Sequence, residues 1–305
     1  MSKYPLTPET CIAKFIEDLS KELLTAKTVS TYGATIRIVV KHLTEDGRNA
    51  LPYKITEEDV KWLVGTRWAH LAISTRKDYR AALSRFTIHF DNPIVKKVKV
   101  RFPHDMRPNI RRLTNKQASD LWKYPMTPMQ RLVIMLELYM GLRRTEVLRL
   151  TTRSIHRGSI IVSGKGGIGG KPRLVPFHRD TSAAVINDYM LARSDLIKNV
   201  RKRRPDAEDP EQLIIYKRGN YLHPYTEDGL DRAVSEKLSK QLGFKFSNHD
   251  LRRTFARRHF EIGTPKRDIA NMLGHETEAE TEKYIGIFYD NLVNAQENFS
   301  YEEGV

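Results

Sequence analysis

The feature that most limits how this chain can fold is a basic, proline-interrupted stretch about a third of the way along it. Asp91-Asn92-Pro93 is a turn signal, and Lys96, Lys97, Lys99, Arg101, Arg107, Arg111 and Arg112 follow it, with Pro103 and Pro108 among them. Proline fixes φ and lacks a backbone donor, so such a segment resists regular structure. Apolar residues return at regular spacing on both sides. The 305 residues therefore read as two domains, each with its own core. The expected division is a helical domain over 1–92, a basic linker over 93–112, a larger domain over 113–297 and a short acidic tail over 298–305.

In the first part, Cys11, Ile12, Phe15, Ile16 and Leu19 recur at helical spacing, and Tyr32, Ile36, Val39, Val40 and Leu43 repeat the pattern. Thr56, followed by Glu58 and Asp59, opens a third helix. Ser74 opens a fourth, with Tyr79, Leu83, Phe86 and Phe90 on its apolar side. Lys14, Lys21, Lys27, Arg37, Lys41, Arg76, Lys77, Arg80 and Arg85 fall on the opposite faces, a set suited to gripping phosphates without reading much sequence.

The second part begins with a helix over 113–120. Thr127-Pro128 opens another, whose apolar face runs from Leu132 through Leu150 and contains Gly141-Leu142-Arg143-Arg144-Thr145-Glu146. Residues 159–163 and 173–176 read as two short strands around a glycine-rich turn, Gly164-Lys165-Gly166-Gly167-Ile168-Gly169-Gly170-Lys171. A helix over 181–196 precedes a charged surface loop over 198–210 and a buried strand over 213–216. Helices then cover 226–242, 248–262, 265–273 and 279–294. The fold class is mainly α with a small β-sheet, the second domain being mixed α+β.

The net charge is +15, an excess that attracts polyanions, most often nucleic acid and sometimes an acidic membrane. The longest apolar run, Leu132 to Leu142, carries Glu137 and falls short of the roughly 18 residues of a membrane span. The N-terminus has no apolar signal core, so the expected location is cytoplasmic and DNA-associated, without a membrane partner. One cysteine, Cys11, leaves no internal disulfide and argues against a cysteine-based metal site.

The chemistry-bearing residues lie late in the chain. Ser247-Asn248-His249-Asp250-Leu251-Arg252 places an imidazole and a guanidinium three apart on one helical face, just after a capping residue, Asn248 or Ser247 before it, where free backbone amides favour an anion. Leu273-Gly274-His275 puts a second imidazole in the turn beyond a helix end, and Tyr284 follows nine residues later. The glycine-rich turn fails as a phosphate-binding Walker loop, because Lys165 occupies its first glycine position and Pro172 follows Lys171. The histidines, His223 and His259 included, show no metal-ligand spacing. Neither a cofactor nor a metal is expected.

The ordered set Gly-Leu-Arg-x-x-Glu, a strand with a Gly-Lys-Gly hairpin, His-x-Leu-Arg, Leu-Gly-His and then Tyr resembles the tyrosine recombinase (phage integrase/Xer) family. The resemblance covers residues 113–294, and more weakly the first helical module, which looks like the family's core-binding domain. It implies that Arg143, with Arg144 as competitor, and Arg252 bind the scissile phosphate. It makes His249 the base, His275 a further donor and Tyr284 the nucleophile. Lys165, with Lys171 as the fallback, would protonate the leaving 5′-hydroxyl, and Glu146 would brace Arg143. It further implies double-stranded DNA recombination sites as partners, a homo-tetramer across two sites, and a C-terminal segment that docks on a neighbouring protomer or on its own domain. A type IB topoisomerase and a non-catalytic DNA-binding regulator on the same scaffold are the alternatives.

Overall fold

The computed structural model describes residues 3–102, 111–164 and 172–285, without the side chains of Arg179 and Lys283. The chain divides into two compact units, Met1–Arg107 and Pro108–Val305. Among the described residues both are mostly helical, and no helix is long and apolar enough to cross a membrane.

The first unit is built from α1 (Pro8–Ser20), α2 (Ala26–Glu45), α3 (Glu57–Trp62), α4 (Ile73–His89) and α5 (Ile94–Lys97). Thr7, Thr25 and Thr56 cap the first three with their hydroxyls, satisfying amides that a helix start leaves without partners. The fourth begins at Ile73 with no side-chain cap, so Ser74 lies inside it. The core combines Phe15, Leu19, Ile36, Leu43, Leu63, Trp68, Leu83 and Phe86. Two expectations need correction. The basic segment does not begin as a tether: Val95 and Val98 are buried in this core, and Arg80 donates to both of their carbonyls at 2.9 and 3.0 Å. Asn92 likewise donates to the carbonyls of Pro52 and Ile55, folding the turn back onto its own unit. Arg76 is half-buried and donates to Val64 O at 2.7 Å, so Arg76 and Arg80 tie the unit together and do not lie open for phosphates.

The second unit starts with α6 (Asn115–Lys123) and α7 (Pro128–Ile134), capped by Thr114 and Thr127. The latter runs through one π turn (Met135–Tyr139) and stops, whereas the sequence pattern leads to one helix as far as Leu150. Gly141 has φ +67, and a Cβ there would lie 2.4 Å from Cδ1 of Phe255. Close packing and a left-handed backbone thus break the helix, and α8 (Arg144–Arg149) restarts with Arg143 at its cap position. Gly141→Ala is expected to cost about 2–3 kcal/mol, because it adds backbone strain to a clash with a core ring. Urea unfolding of the variant would measure the loss.

Glu137 sits in that π turn, fully buried, with neither carboxylate oxygen hydrogen-bonded. Burial, and then the charge of Asp231, holds its carboxyl well above the usual range.

Strands β1 (Ile155–His156), β2 (Ser159–Ser163) and β3 (Pro172–Pro176) form an antiparallel sheet in that order, with Val162 opposite Arg173. Helix α9 (Arg179–Arg201) is longer than its pattern predicts. Val200 and Ala207, in the expected surface loop, are buried with Ile215 and Leu222 in a small satellite core. The strand expected at 213–216 is β4 (Ile215–Arg218), paired with β5 (Tyr221–Pro224), which the sequence reading lacks. Then come α10 (Glu227–Asp231), a π turn, α11 (Lys237–Leu242), α12 (Asn248–Glu261), α13 (Lys266–Leu273) and α14 (Glu278–Ile285). Phe255, Ala256, Ile269, Leu273 and Ile285 hold the last three together in a cluster of their own. The expected continuation of the last helix to Asn294, and the tail, lie outside the described residues.

Candidate active site

Ser247, not Asn248, caps α12. Its hydroxyl accepts from Asp250 N, and the Asp250 carboxylate accepts from Ser247 N at 2.8 Å. Arg111 pairs with the same carboxylate at 3.0 Å, and Leu113 N donates to Thr254 Oγ1 at 2.9 Å, so the start of this unit is fastened to α12. That anchoring fixes the first turns, which carry His249 and Arg252.

Arg252 is 1% exposed, a burial a guanidinium tolerates only with acceptors around it. It donates through Nη1 to Gly141 O and through Nη2 to Leu273 O at 2.6 Å. Burial, and then the nearby charge of Arg143, pushes it down to about 10, which leaves it charged at neutral pH. Arg143 donates to Glu146 Oε1 at 2.8 Å and to Leu273 O at 3.2 Å. Arg144 turns instead to Glu227 and Asp231 on α10, so the first of the two arginines is the one that joins Arg252.

A third guanidinium completes the group. Arg173 grips both oxygens of Glu146 at 2.9 Å and donates to Met272 O at 2.9 Å. Glu146 is 2% exposed; burial alone would raise its carboxyl, but Arg173, the Arg143 amide and Arg252 bring it down to about 2. Arg173 was missed from sequence, although it lies two residues before buried Val175 on β3 and so shares its inward face, where a charge requires a counter-ion. Gly274 leaves room for it: with φ +64, a Cβ there would lie 2.9 Å from Arg173 Nη1.

Gly274 also ends α13 and carries the chain to His275, whose Nε2 lies 3.3 Å from Arg252 Nη2 and whose Nδ1 lies 2.9 Å from Thr281 Oγ1. Tyr284 packs edge-on against both imidazoles, its ring 5.1 Å from that of His249 and 5.2 Å from that of His275. Arg252 and Arg253 stand over the same ring at 5.8 and 5.6 Å. The phenol oxygen is buried and, among the described residues, has no partner in hydrogen-bond geometry; the same holds for Nε of Arg252 and of Arg253. Arg253 is a further residue that sequence reasoning missed.

Burial pushes the Tyr284 phenol up, against the opposing charges of Arg252 and Arg253, so it is protonated at neutral pH. His275 is pushed down to about 4 by burial and then by Arg252, Arg143 and Arg173. His249 shifts the same way through burial of its inner edge and then the Arg253 and Arg252 charges, an effect softened by solvent on its open side. Both imidazoles are therefore neutral, the state in which a histidine can accept a proton. Elsewhere, His223 packs at a tilt against Tyr216 and His259 lies 3.1 Å from Thr264 Oγ1. Lys165 and its fallback Lys171 lie outside the described residues.

Five of the six expected site residues thus converge: Arg143, His249, Arg252, His275 and Tyr284. Residues 111–290, more than half of the chain, match the sequence profile of the phage integrase family. The chain belongs to the phage integrase family. It is 28% identical over 171 residues to the tyrosine recombinase XerC of Lactobacillus leichmannii, an alignment covering 55% of this chain and 54% of that protein. XerC of Myxococcus xanthus is 31% identical over 153 residues, 50% of this chain and 48% of that protein. XerA of Pyrococcus furiosus is 28% identical over 175 residues, 57% of this chain and 56% of its own. This phage integrase family member thus spans about half the length of the curated relatives it matches.

Two solved structures share the fold. The XerH site-specific recombinase bound to its difH substrate, a pre-cleavage complex, matches with a TM-score of 0.67 at 17% identity, over 97% of this chain and 86% of that one. A lambda integrase dimer bound to a COC′ core site matches with 0.65 at 16% identity, over 97% of this chain and 99% of that one.

Proposed function

We propose that this phage integrase family member is a site-specific recombinase that cleaves and rejoins DNA strands through a covalent link between Tyr284 and a 3′-phosphate. The observation that carries the reading is the unpartnered Tyr284 phenol, held between two neutral imidazoles and beside Arg252, whose buried Nε is also unpartnered. Those are an oxygen nucleophile, proton acceptors and an anion-binding donor at one place.

In this reading the phenol oxygen attacks phosphorus, the bond from phosphorus to the 5′ oxygen breaks, and His249 takes the phenol proton. Arg143 and Arg252 neutralise the non-bridging oxygens as charge builds on them, and His275 adds a contact to the same phosphate. Lys165 supplies the proton to the departing 5′ oxygen. The phosphodiester energy stays in the phosphotyrosyl bond, so the reverse steps rejoin a strand without an external energy source. The first unit, with its basic surface, and the second would grip duplex DNA around the linker. Four protomers would bring two sites together, each tail docking on its own or a neighbouring domain.

The test is a nicked duplex carrying the cognate site, from which the short cleaved strand diffuses away and traps the intermediate. Wild-type protein is expected to shift to a DNA-linked band on a denaturing gel, and peptide mapping to place the adduct on Tyr284. No adduct on a site that the protein binds would overturn the reading. Relaxation of supercoils without exchange between two sites would replace recombination with topoisomerase action.

A further inference from the structure

Helix α14 carries more than the proposed nucleophile. One turn before Tyr284, Thr281 is 0% exposed, and its hydroxyl lies 2.9 Å from Nδ1 of His275. The other ring nitrogen of that histidine lies 3.3 Å from Nη2 of Arg252. A guanidinium has donors only, so Nε2 must face it with a lone pair. The proton of the neutral ring then sits on Nδ1, and Thr281 Oγ1 accepts it. Both ring nitrogens are thereby assigned by the groups around them.

We propose that Thr281 is a positioning residue for the strand-cleavage reaction, one that fixes the tautomer and ring plane of His275 so that Nε2 is presented beside Arg252 and Tyr284. The inference rests on the recombinase reading for its consequence, though its geometry stands apart from it. With Nδ1–H held by Thr281, Nε2 can accept from Arg252 in the resting site. When a phosphate draws the guanidinium towards its oxygens and its negative charge offsets the arginines, Nε2 is free to take up a proton from solvent and donate to the same phosphate. Thr281 accepts the Nδ1 proton in both states, so the ring need not turn between them. A hydroxyl suits this better than a carboxylate, which would hold a permanent imidazolium beside three guanidiniums.

A second consequence follows from the placement. Thr281 and Tyr284 are neighbours on one helical face, so one docking event seats the attacking oxygen and aligns His275.

The experiment compares Thr281→Val, close to threonine in shape but without the hydroxyl, with Thr281→Ser, which keeps it. Full-length proteins with 15N-labelled histidine give long-range 1H–15N spectra at pH 7 in which the two tautomers differ, and His275→Gln identifies the signal. Wild type and T281S are expected to show the Nδ1–H form, and T281V the Nε2–H form or a mixture. On the nicked duplex, T281V is expected to cleave about tenfold more slowly, the scale of one lost hydrogen bond, with T281S within about threefold of wild type. An Nε2–H ring in the wild type would overturn the proposal, as would a T281S variant as slow as T281V, which would point to packing alone. Should T281V fail to fold, the wild-type spectrum and the T281S rate still decide. Expected tautomers without any wild-type adduct would count against the recombinase reading and leave only the assignment of the His275 tautomer to Thr281 standing.

Discussion

Tyr284→Phe is expected to abolish covalent attachment to DNA while leaving the fold as stable as the wild type or more so. Both halves follow from the surroundings of the phenol oxygen. It is buried without a partner in good hydrogen-bond geometry, the Arg252 guanidinium being its nearest donor, so the folded state bears most of the cost of desolvating it. Removing it keeps the ring between His249 and His275 and under the two arginines. The gain should be up to about 1 kcal/mol. That corresponds to a rise in Tm of roughly 2–4 °C for a unit of this size. Activity should fall to background, because phenylalanine has no oxygen with which to attack phosphorus. Calorimetry and the nicked-duplex assay test the two halves separately. A clearly less stable Y284F would mean that the oxygen has a partner in solution.

Glu146→Gln should damage both properties. One buried carboxylate holds Arg173 through two hydrogen bonds and Arg143 through two more, one from its backbone amide and one from Nη1, with Arg252 3.7 Å away. Neutralising it leaves three like charges close together, and removing one partner of a buried pair costs about 3 kcal/mol or more. Cleavage should slow at least about a hundredfold, since an ångström of drift in the phosphate-binding arginines is enough for that. The variant should also differ in acid. In the folded protein the Glu146 carboxyl lies at about 2, below its ordinary value of roughly 4.3. Its stabilisation is therefore complete above about pH 4.3 and disappears as the pH falls towards 2. Urea unfolding at pH 5 and pH 2.5 should show the gap between wild type and E146Q narrowing at the lower pH. An unchanged gap would place the stabilising interaction elsewhere.

What could be read from the chain and what could not differ in the length of the contacts involved. The capping of α12 by Ser247 and the shared face of His249 and Arg252 depend on neighbours three or four residues apart, which spacing encodes directly. Gly274 as a helix stop is equally local. The break at Gly141 is not, because its backbone is held open by Phe255, a ring on another helix, and the apolar pattern passes through the break unaltered. Arg173 meets Glu146 across 27 positions, so its inward face on β3 was the only local trace of it. Thr281 looked like one polar residue in a polar helix until His275 was seen to reach it. The residues in the glycine-rich turn stayed as the sequence left them.

The end of α13 has a bearing on how this protein can change over time. Arg173, Arg143 and Arg252 all find acceptors in the carbonyls of Met272 and Leu273, which belong to the backbone and are the same whatever side chains the helix carries. Most positions along α13 can therefore be exchanged without disturbing the arginines, provided its apolar side still fits. A single residue inserted or deleted within it is another matter: it would turn the last carbonyls by about 100° and shift them by about 1.5 Å. Drift in composition should be tolerated along this helix, and drift in length should not.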